Sequence, residues 1–235
     1  MSIITVGILL ILAIAVLGGY YRGFVSSVLG LIATLASILF AFLIGPVAAD
    51  IVKSDEKLFT TLLYYTEGSE FVAKTDVELT RSSIDMVSDE TLETVFRNAD
   101  MPNPMGRCVK KNIVNHAFME DGIFSLGDYF NQTIVCVVIE ILSILAVFVL
   151  LRLLIALLIR GTDFAYSGFN VLPQYDSLIG AGLGLVQGAL ILFAAFLVLP
   201  IVLTVLPKIY EYLSESALGM FFYKANPFFR MVPSV

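Results

Sequence analysis

Three polar side chains stand inside otherwise apolar runs and carry the clearest chemical potential of the chain: Glu140 and Arg152 within 133–159, and Gln187 within 178–206. A charged group at the centre of a bilayer costs about 2.5–3.5 kcal/mol on insertion scales, so each of these must face protein, water or headgroups. Were the three to converge, they could line a path for a small ion or substrate, which is the channel or transporter reading of the chain. Each also has a structural reading. Arg152 lies about 10 Å by helix rise from the end of its run, near enough for its side chain to snorkel to the headgroups. Glu140 can sit near the opposite interface, especially if its helix begins upstream at Ser125, and Gln187 can join an interhelical hydrogen bond. Glu140 and Arg152 cannot meet one another, because on one helix they are about 18 Å apart.

Outside the runs, chemistry is sparse. His116 with Glu120 and Asp121 has a spacing that could place metal ligands on one helix face, against the plainer reading of a solvated helix surface. Cys108 and Cys136 fall in unlike surroundings and suggest neither a disulfide framework nor a metal knuckle. No G-x-x-x-x-G-K-[ST] loop is present, and Gly180, Gly182 and Gly184 follow no strand, so no nucleotide site is read. Asn131-Gln132-Thr133 matches a glycosylation pattern but abuts an apolar run. With no nucleophile and base at a common depth, the chain is expected to be no enzyme. Catalytic, cofactor and metal residues are read as none, and no nucleic-acid partner is expected.

These side chains must be positioned by long apolar helices. The sequence is 58% hydrophobic and 14% charged, with a mean hydropathy of +0.91, far from the soluble norm of about a quarter charged. Four runs are long enough to span hydrocarbon as helices: 3–19, 24–47, 133–159 and 178–206. The first lacks the basic flank of a cleavable signal peptide and is read as a span. The fold class is therefore all-α, a polytopic membrane protein of four transmembrane helices arranged as two hairpins, 1–50 and 133–206. Between them lies a mostly helical acidic extramembrane insertion, 51–132, and an interfacial amphipathic tail, 207–235, follows.

The insertion carries 8 basic and 14 acidic residues, which accounts for the whole formal net charge of −6. Ser54-Asp55-Glu56 and Ser88-Asp89-Glu90 read as helix starts, a third helix is expected over 107–118, and another over 208–223 before Asn226-Pro227. Short helices of this kind pack on one another or on the membrane surface. Arg22 in the first short connection, and Arg160 with Arg152 around the second, place both connections in the cytoplasm. The termini and 51–132 are then outside.

Small residues give the packing code. Gly180, Gly184 and Gly188 form one ridge; Ser26, Gly30, Thr34, Ser37, Ala41 and Gly45 form another on the second span. The expectation is that these ridges meet, within a chain or in a homo-oligomer. Arg22 and Asp176 would then start adjacent helices and form an ion pair, with Asp176 also favoured at its helix N-terminus.

The same residues carry a resemblance. Gly19-Tyr20-Tyr21-Arg22-Gly23-Phe24-Val25, and Tyr175-Asp176-Ser177-Leu178-Ile179-Gly180 followed by Gly184 and Gly188, resemble the two signature regions of the bacterial colicin V production protein family. The resemblance covers the spans and not the acidic insertion. Two departures stand out: Ser2-Ile3-Ile4 holds no acidic residue, and Gln187 occupies a position that is often basic. The resemblance implies a multi-pass inner-membrane protein linked to production or export of a toxin and to envelope homeostasis. Besides the lipid bilayer, the partner expected is an envelope or secretion protein meeting 51–132.

Overall fold

Apolar stretches of this length satisfy their own backbone hydrogen bonds as helices, the form a bilayer permits. The computed structural model describes residues 2–161 and 175–234, and among these the regular structure is helical, with one isolated β-bridge between Ser83 and Ser125. Three helices are long and apolar enough to cross a membrane: α1 (Ile3–Lys53), α6 (Leu126–Gly161), and α7 (Asp176–Ala195), which a 3₁₀ turn at Phe196–Val198 joins to α8 (Leu199–Val205). The expected connection between the third and fourth runs falls on 162–174, outside the described residues.

As a straight rod α1 would be about 77 Å long, more than twice a hydrocarbon core. It is not straight. Gly23 has φ +74° and ψ −178°, a backbone that a side chain would strain, and the helix breaks there. The contacts on either side show the chain doubling back. Gly19, Ala15 and Leu12 meet Gly180, Gly184 and Gly188 in antiparallel order, whereas Gly30 meets Gln187, and Ile38 and Ala41 share a core with Ala194 and Leu197, in parallel order. Both halves of α1 thus lie along α7.

Helix α6 runs antiparallel to the second half of α1, with Gly45 against Ile144, and Ile38 and Ala41 packed with Phe148. At about 54 Å, α6 is too long for hydrocarbon alone. Its first turns instead hold up the acidic segment. Leu126, Tyr129, Phe130 and Cys136 join Val72, Ile84, Val95, Val109 and Ile113 in a separate apolar core. Around it pack α2 (Glu56–Tyr64), α3 (Ser69–Ala73), α4 (Asp89–Ala99) and α5 (Met105–Val114). Asp55 caps α2 by accepting from Lys57 and Leu58, and Ser88 caps α4, so these two starts are where the sequence puts them.

The tail differs from the single interfacial helix expected over 208–223. It divides into α9 (Ile209–Ser214) and α10 (Ala217–Lys224), because the Ser216 hydroxyl accepts from the Gly219 N–H and starts a new helix. Nor does it only lie on a surface. Leu213, Tyr223, Phe228 and Phe229 are buried in the bundle core, and Phe222 joins Ile8 and Leu192. The Thr5 and Ser216 hydroxyls are 2.8 Å apart, so the start of α1, the tail and the acidic domain share one end of the bundle.

Candidate functional site

Two polar sites lie within the bundle, at opposite ends. At the end shared with the acidic domain, the Lys53 Nζ approaches Glu140 Oε1 at 2.6 Å and Asp50 Oδ1 at 3.3 Å. The Glu140 side chain is 4% exposed and that of Lys53 17%, so the pair is largely removed from water. Glu140 Oε2 is buried without a hydrogen-bond partner among the described residues. Lys53 is the last residue of α1 and was not singled out from the sequence; its partner is 87 positions away, a pairing only the antiparallel register reveals.

The second site lies near the reversal. Asp176 begins α7, but no ion pair joins it to Arg22 among the described residues, contrary to the expected pairing. Its Oδ1 accepts from the Phe24 N–H at 3.0 Å, and the carboxylate fills the space where Gly23 lacks a side chain. The reason is geometric: the break at Gly23 leaves Phe24 with an unsatisfied helix-start N–H, and a neighbouring carboxylate satisfies it, as an N-cap does from within its own chain segment.

Arg22 turns the other way. Its Nε donates to the Gly18 carbonyl at 2.9 Å, and Nη1 reaches over Gly30. Gln187, 5% exposed, stands on the same glycine: a Cβ built there would lie 3.1 Å from Gln187 Oε1 and 3.6 Å from Arg22 Nη1. Gln187 Nε2 donates to Thr34 Oγ1 at 3.2 Å, and Thr34 donates onward to the Gly30 carbonyl at 2.8 Å. Arg152 follows Phe148 by one turn on α6, past the core that Phe148 shares with Ile38 and Ala41. Gln187 therefore makes an interhelical hydrogen bond, and Arg152 lies toward this end of α6. Glu140 is not: its bonds are at the other end, and the three residues do not line one path.

The small-residue ridges are buried but partnered differently from the expectation. Gly180 and Gly184 pack on Gly19, Gly23 and Ala15, and Gly188 on Ala15 and Leu12, all before or at the break. The ridge of the second half, Gly30 through Gly45, meets Gln187 on α7 and Ile144 on α6 instead. Two glycine-lined backbones can approach most closely, and Gly19 with Gly184 supplies that pairing.

Other sequence candidates resolve as structural. Helix α5 ends at Val114, so His116 and Glu120 do not share a helix face; His116, at φ +50°, has its Nδ1 3.6 Å from Asp85 Oδ1. Asn131 lies within α6, not in a loop, and its Oδ1 accepts from the Ser69 N–H at 2.9 Å. Cys108 is buried beside the tail, and burial pushes its thiol pKa up. Arg107 donates to the carbonyls of Phe229, Arg230 and Val232 at 3.0, 3.3 and 2.6 Å, which clamps the end of the chain to α5.

Comparison with known proteins agrees with this architecture in its first part. Residues 4–74 match the family model described as Colicin V production protein, and the match supports assignment to that family. It takes in all of the reversal at Arg22-Gly23 and extends into the acidic segment, but stops before Asp176. No curated protein and no solved structure matches the chain. Three helices among the described residues are long and apolar enough to cross a membrane, and together with the family match over 4–74 they support a multi-pass membrane protein.

Proposed function

We propose that the chain is a non-enzymatic protein of the bacterial inner membrane with a role in colicin V production or export and in envelope homeostasis, acting through protein contacts made by its acidic domain. It crosses the bilayer four times as two hairpins. The reversal at Gly23 divides α1 into halves of about 30 and 45 Å by helix rise, each sufficient for one crossing. Exposed tyrosines flank the bundle at both ends, Tyr20 and Tyr21 by the reversal and Tyr64 and Tyr65 by the acidic domain, as suits headgroup depth. Arg22 at the short connection favours the cytoplasm for that end, which leaves the domain and both termini outside.

One observation carries the reading. Every one of the 14 carboxylates in 51–132 is exposed, while the domain has an apolar core of its own. Apart from Asp85 beside His116, none of this acid is paired with a base of the domain among the described residues, and the carboxylates are displayed. A surface of this kind suits a basic segment of an envelope or secretion protein, steered by charge.

Photo-crosslinkers placed at exposed positions of α2 and α4 in native membranes test this. A specific basic partner should be captured, and the yield should fall steeply when salt is raised to about 1 M, where the Debye length is about 3 Å. Capture of lipid alone, or of proteins indifferent to salt, would refute the reading.

A further inference from the structure

We propose that the reversal end of the bundle holds an acceptor site for a phosphate group, formed by Arg22 and Arg152, with the Gln187 amide beside the first of them. The site differs from the acidic domain in place and in charge, and does not depend on the function assigned to that domain.

Depth comes first. Tyr21, 82% exposed beside the break, marks the headgroup level, and Arg22 Nη1 lies over Gly30, about 10 Å deeper by helix rise. The packing register puts Arg152 at a similar level. Gly45 faces Ile144, and Ile38 and Ala41 share a core with Phe148; continuing this antiparallel register two turns from the Gly45–Ile144 contact brings Arg152 to the level of Ser37, one turn from Thr34, the partner of Gln187. Glycines make the room. A Cβ at Gly18 would come within 3.1 Å of Arg22 Nη2, and one at Gly30 would crowd both Nη1 and Gln187.

Charge balance comes next. Asp176 is taken by the Phe24 N–H, and Glu140 by Lys53 at the far end. Among the described residues no carboxylate pairs with Arg22 or Arg152. Two guanidinium groups at this end of the bundle, Arg152 half-buried and Arg22 reaching down over Gly30, have no counter-ion among the described residues. Cations so placed draw water and headgroups inward. A guanidinium presents forked donors that match phosphate oxygens, and two arginines can share one phosphate. Gln187 adds an acceptor beside the site: its Nε2 is committed to Thr34, while its Oε1 and Arg22 Nη1 both lie over the open face of Gly30. Arg22 is exposed and Arg152 partly so, leaving the site open to the leaflet, where phosphate is abundant.

The test uses the full chain, delipidated in non-ionic detergent, with phosphatidylglycerol binding followed by native mass spectrometry and diacylglycerol as the phosphate-free control. Arg152→Gln should weaken phosphatidylglycerol binding about tenfold, and Arg152→Lys should keep more of it, because a lysine retains charge but not the fork. Diacylglycerol binding should not respond to either change. Displacement by millimolar inorganic phosphate would identify a free phosphate as the natural occupant; resistance would identify the lipid headgroup. Equal phosphatidylglycerol affinity in wild type and Arg152→Gln overturns the proposal, as does a parallel loss of diacylglycerol. So does a photo-crosslinker at position 22 that captures a protein and no lipid, since the missing anion is then a partner's carboxylate. Arg22→Gln repeats the measurement from the other side. Should that variant fail to fold by circular dichroism, Arg152→Gln decides alone, since among the described residues Arg152 makes no side-chain hydrogen bond that the change would remove.

Discussion

Lys53 with Glu140 and Arg22 with Arg152 sit at opposite ends of one bundle, and they meet the cost of charge in a poorly solvated place in different ways. The first site holds one cation and one anion at 2.6 Å, closed within the chain and supported by Asp50. The second holds two cations and no anion among the described residues, and Asp176, the carboxylate at the reversal, already accepts from the backbone. A closed pair fixes the register of two helices. An open one is left with an unmet electrostatic demand, and such a demand is what a ligand can satisfy. The contrast therefore separates a structural polar site from a binding one, although both are built of residues of the same kinds.

Breaking the closed pair should have the largest effect. Glu140→Ala leaves Lys53 without its main partner in a mostly buried place, and a loss of about 3–5 kcal/mol is expected, read as reduced thermal or denaturant stability in detergent. The paired replacement Glu140→Leu with Lys53→Met should recover most of it, since apolar groups of similar volume carry no desolvation penalty. If the single and double variants are equally unstable, the site is not a closed pair and the contrast fails.

How much of this was legible in sequence follows from the same two sites. Hydropathy shows the apolar runs, and capping residues such as Asp55 and Ser88 show helix starts, because both signals are local. The importance of Gly23 was visible as part of a motif. Its role as a break with φ +74° was not, since apolar residues continue on both sides and only the contacts with α7 show the reversal. Glu140, Arg152 and Gln187 stood out as polar residues in apolar runs. Which of them meet depends on register, which no single run contains. The Lys53 partner was invisible for that reason. The ridge pairing was misjudged because two glycine-rich faces, one before the break and one after, compete for the same α7, and spacing cannot rank them. Gly19 wins over the second-span ridge through backbone proximity to Gly180 and Gly184.

That ranking can be sharpened by substitution on α7. A Cβ at Gly184 would fall on the Ala15 carbonyl, whereas one at Gly182 meets nothing within 4 Å. Gly184→Val should therefore cost about 1–3 kcal/mol through overpacking, and Gly182→Val much less. Gly19→Val should match Gly184→Val, because the two share one interface; a matching loss from Ala41→Val on the second half and none from Gly19→Val would move the interface back to the ridge expected from spacing.

A smaller effect attaches to Asp176. Removing its carboxylate leaves the Phe24 N–H without that acceptor, and the loss of a cap is worth about 0.5–2 kcal/mol. Asp176→Ala should lower stability by that much, with Asp176→Asn retaining part of it, as asparagine also accepts. Combined with Arg22→Ala, the losses should add to within about 0.5 kcal/mol, the behaviour of residues that do not interact. Strong coupling would restore the direct ion pair and supply Arg22 with an anion, which would remove half of the contrast between the sites.

The smallest effect is expected at Arg152, and it is the most diagnostic. If its charge stabilised the fold, Arg152→Met would resemble Glu140→Ala. An unpaired cation contributes no ion pair to lose, and its removal relieves repulsion from Arg22, so Arg152→Met in lipid-free detergent should stay within about 0.5 kcal/mol of the wild type. Methionine keeps most of the apolar stem, which limits any loss of packing. The difference should emerge only when phosphatidylglycerol is added: a ligand that binds the folded state alone raises its stability, so the wild type should gain and the variant should not. Equal gains would mean that the lipid acts elsewhere on the bundle, whereas a large loss before any lipid is added would make Arg152 a structural residue like Glu140.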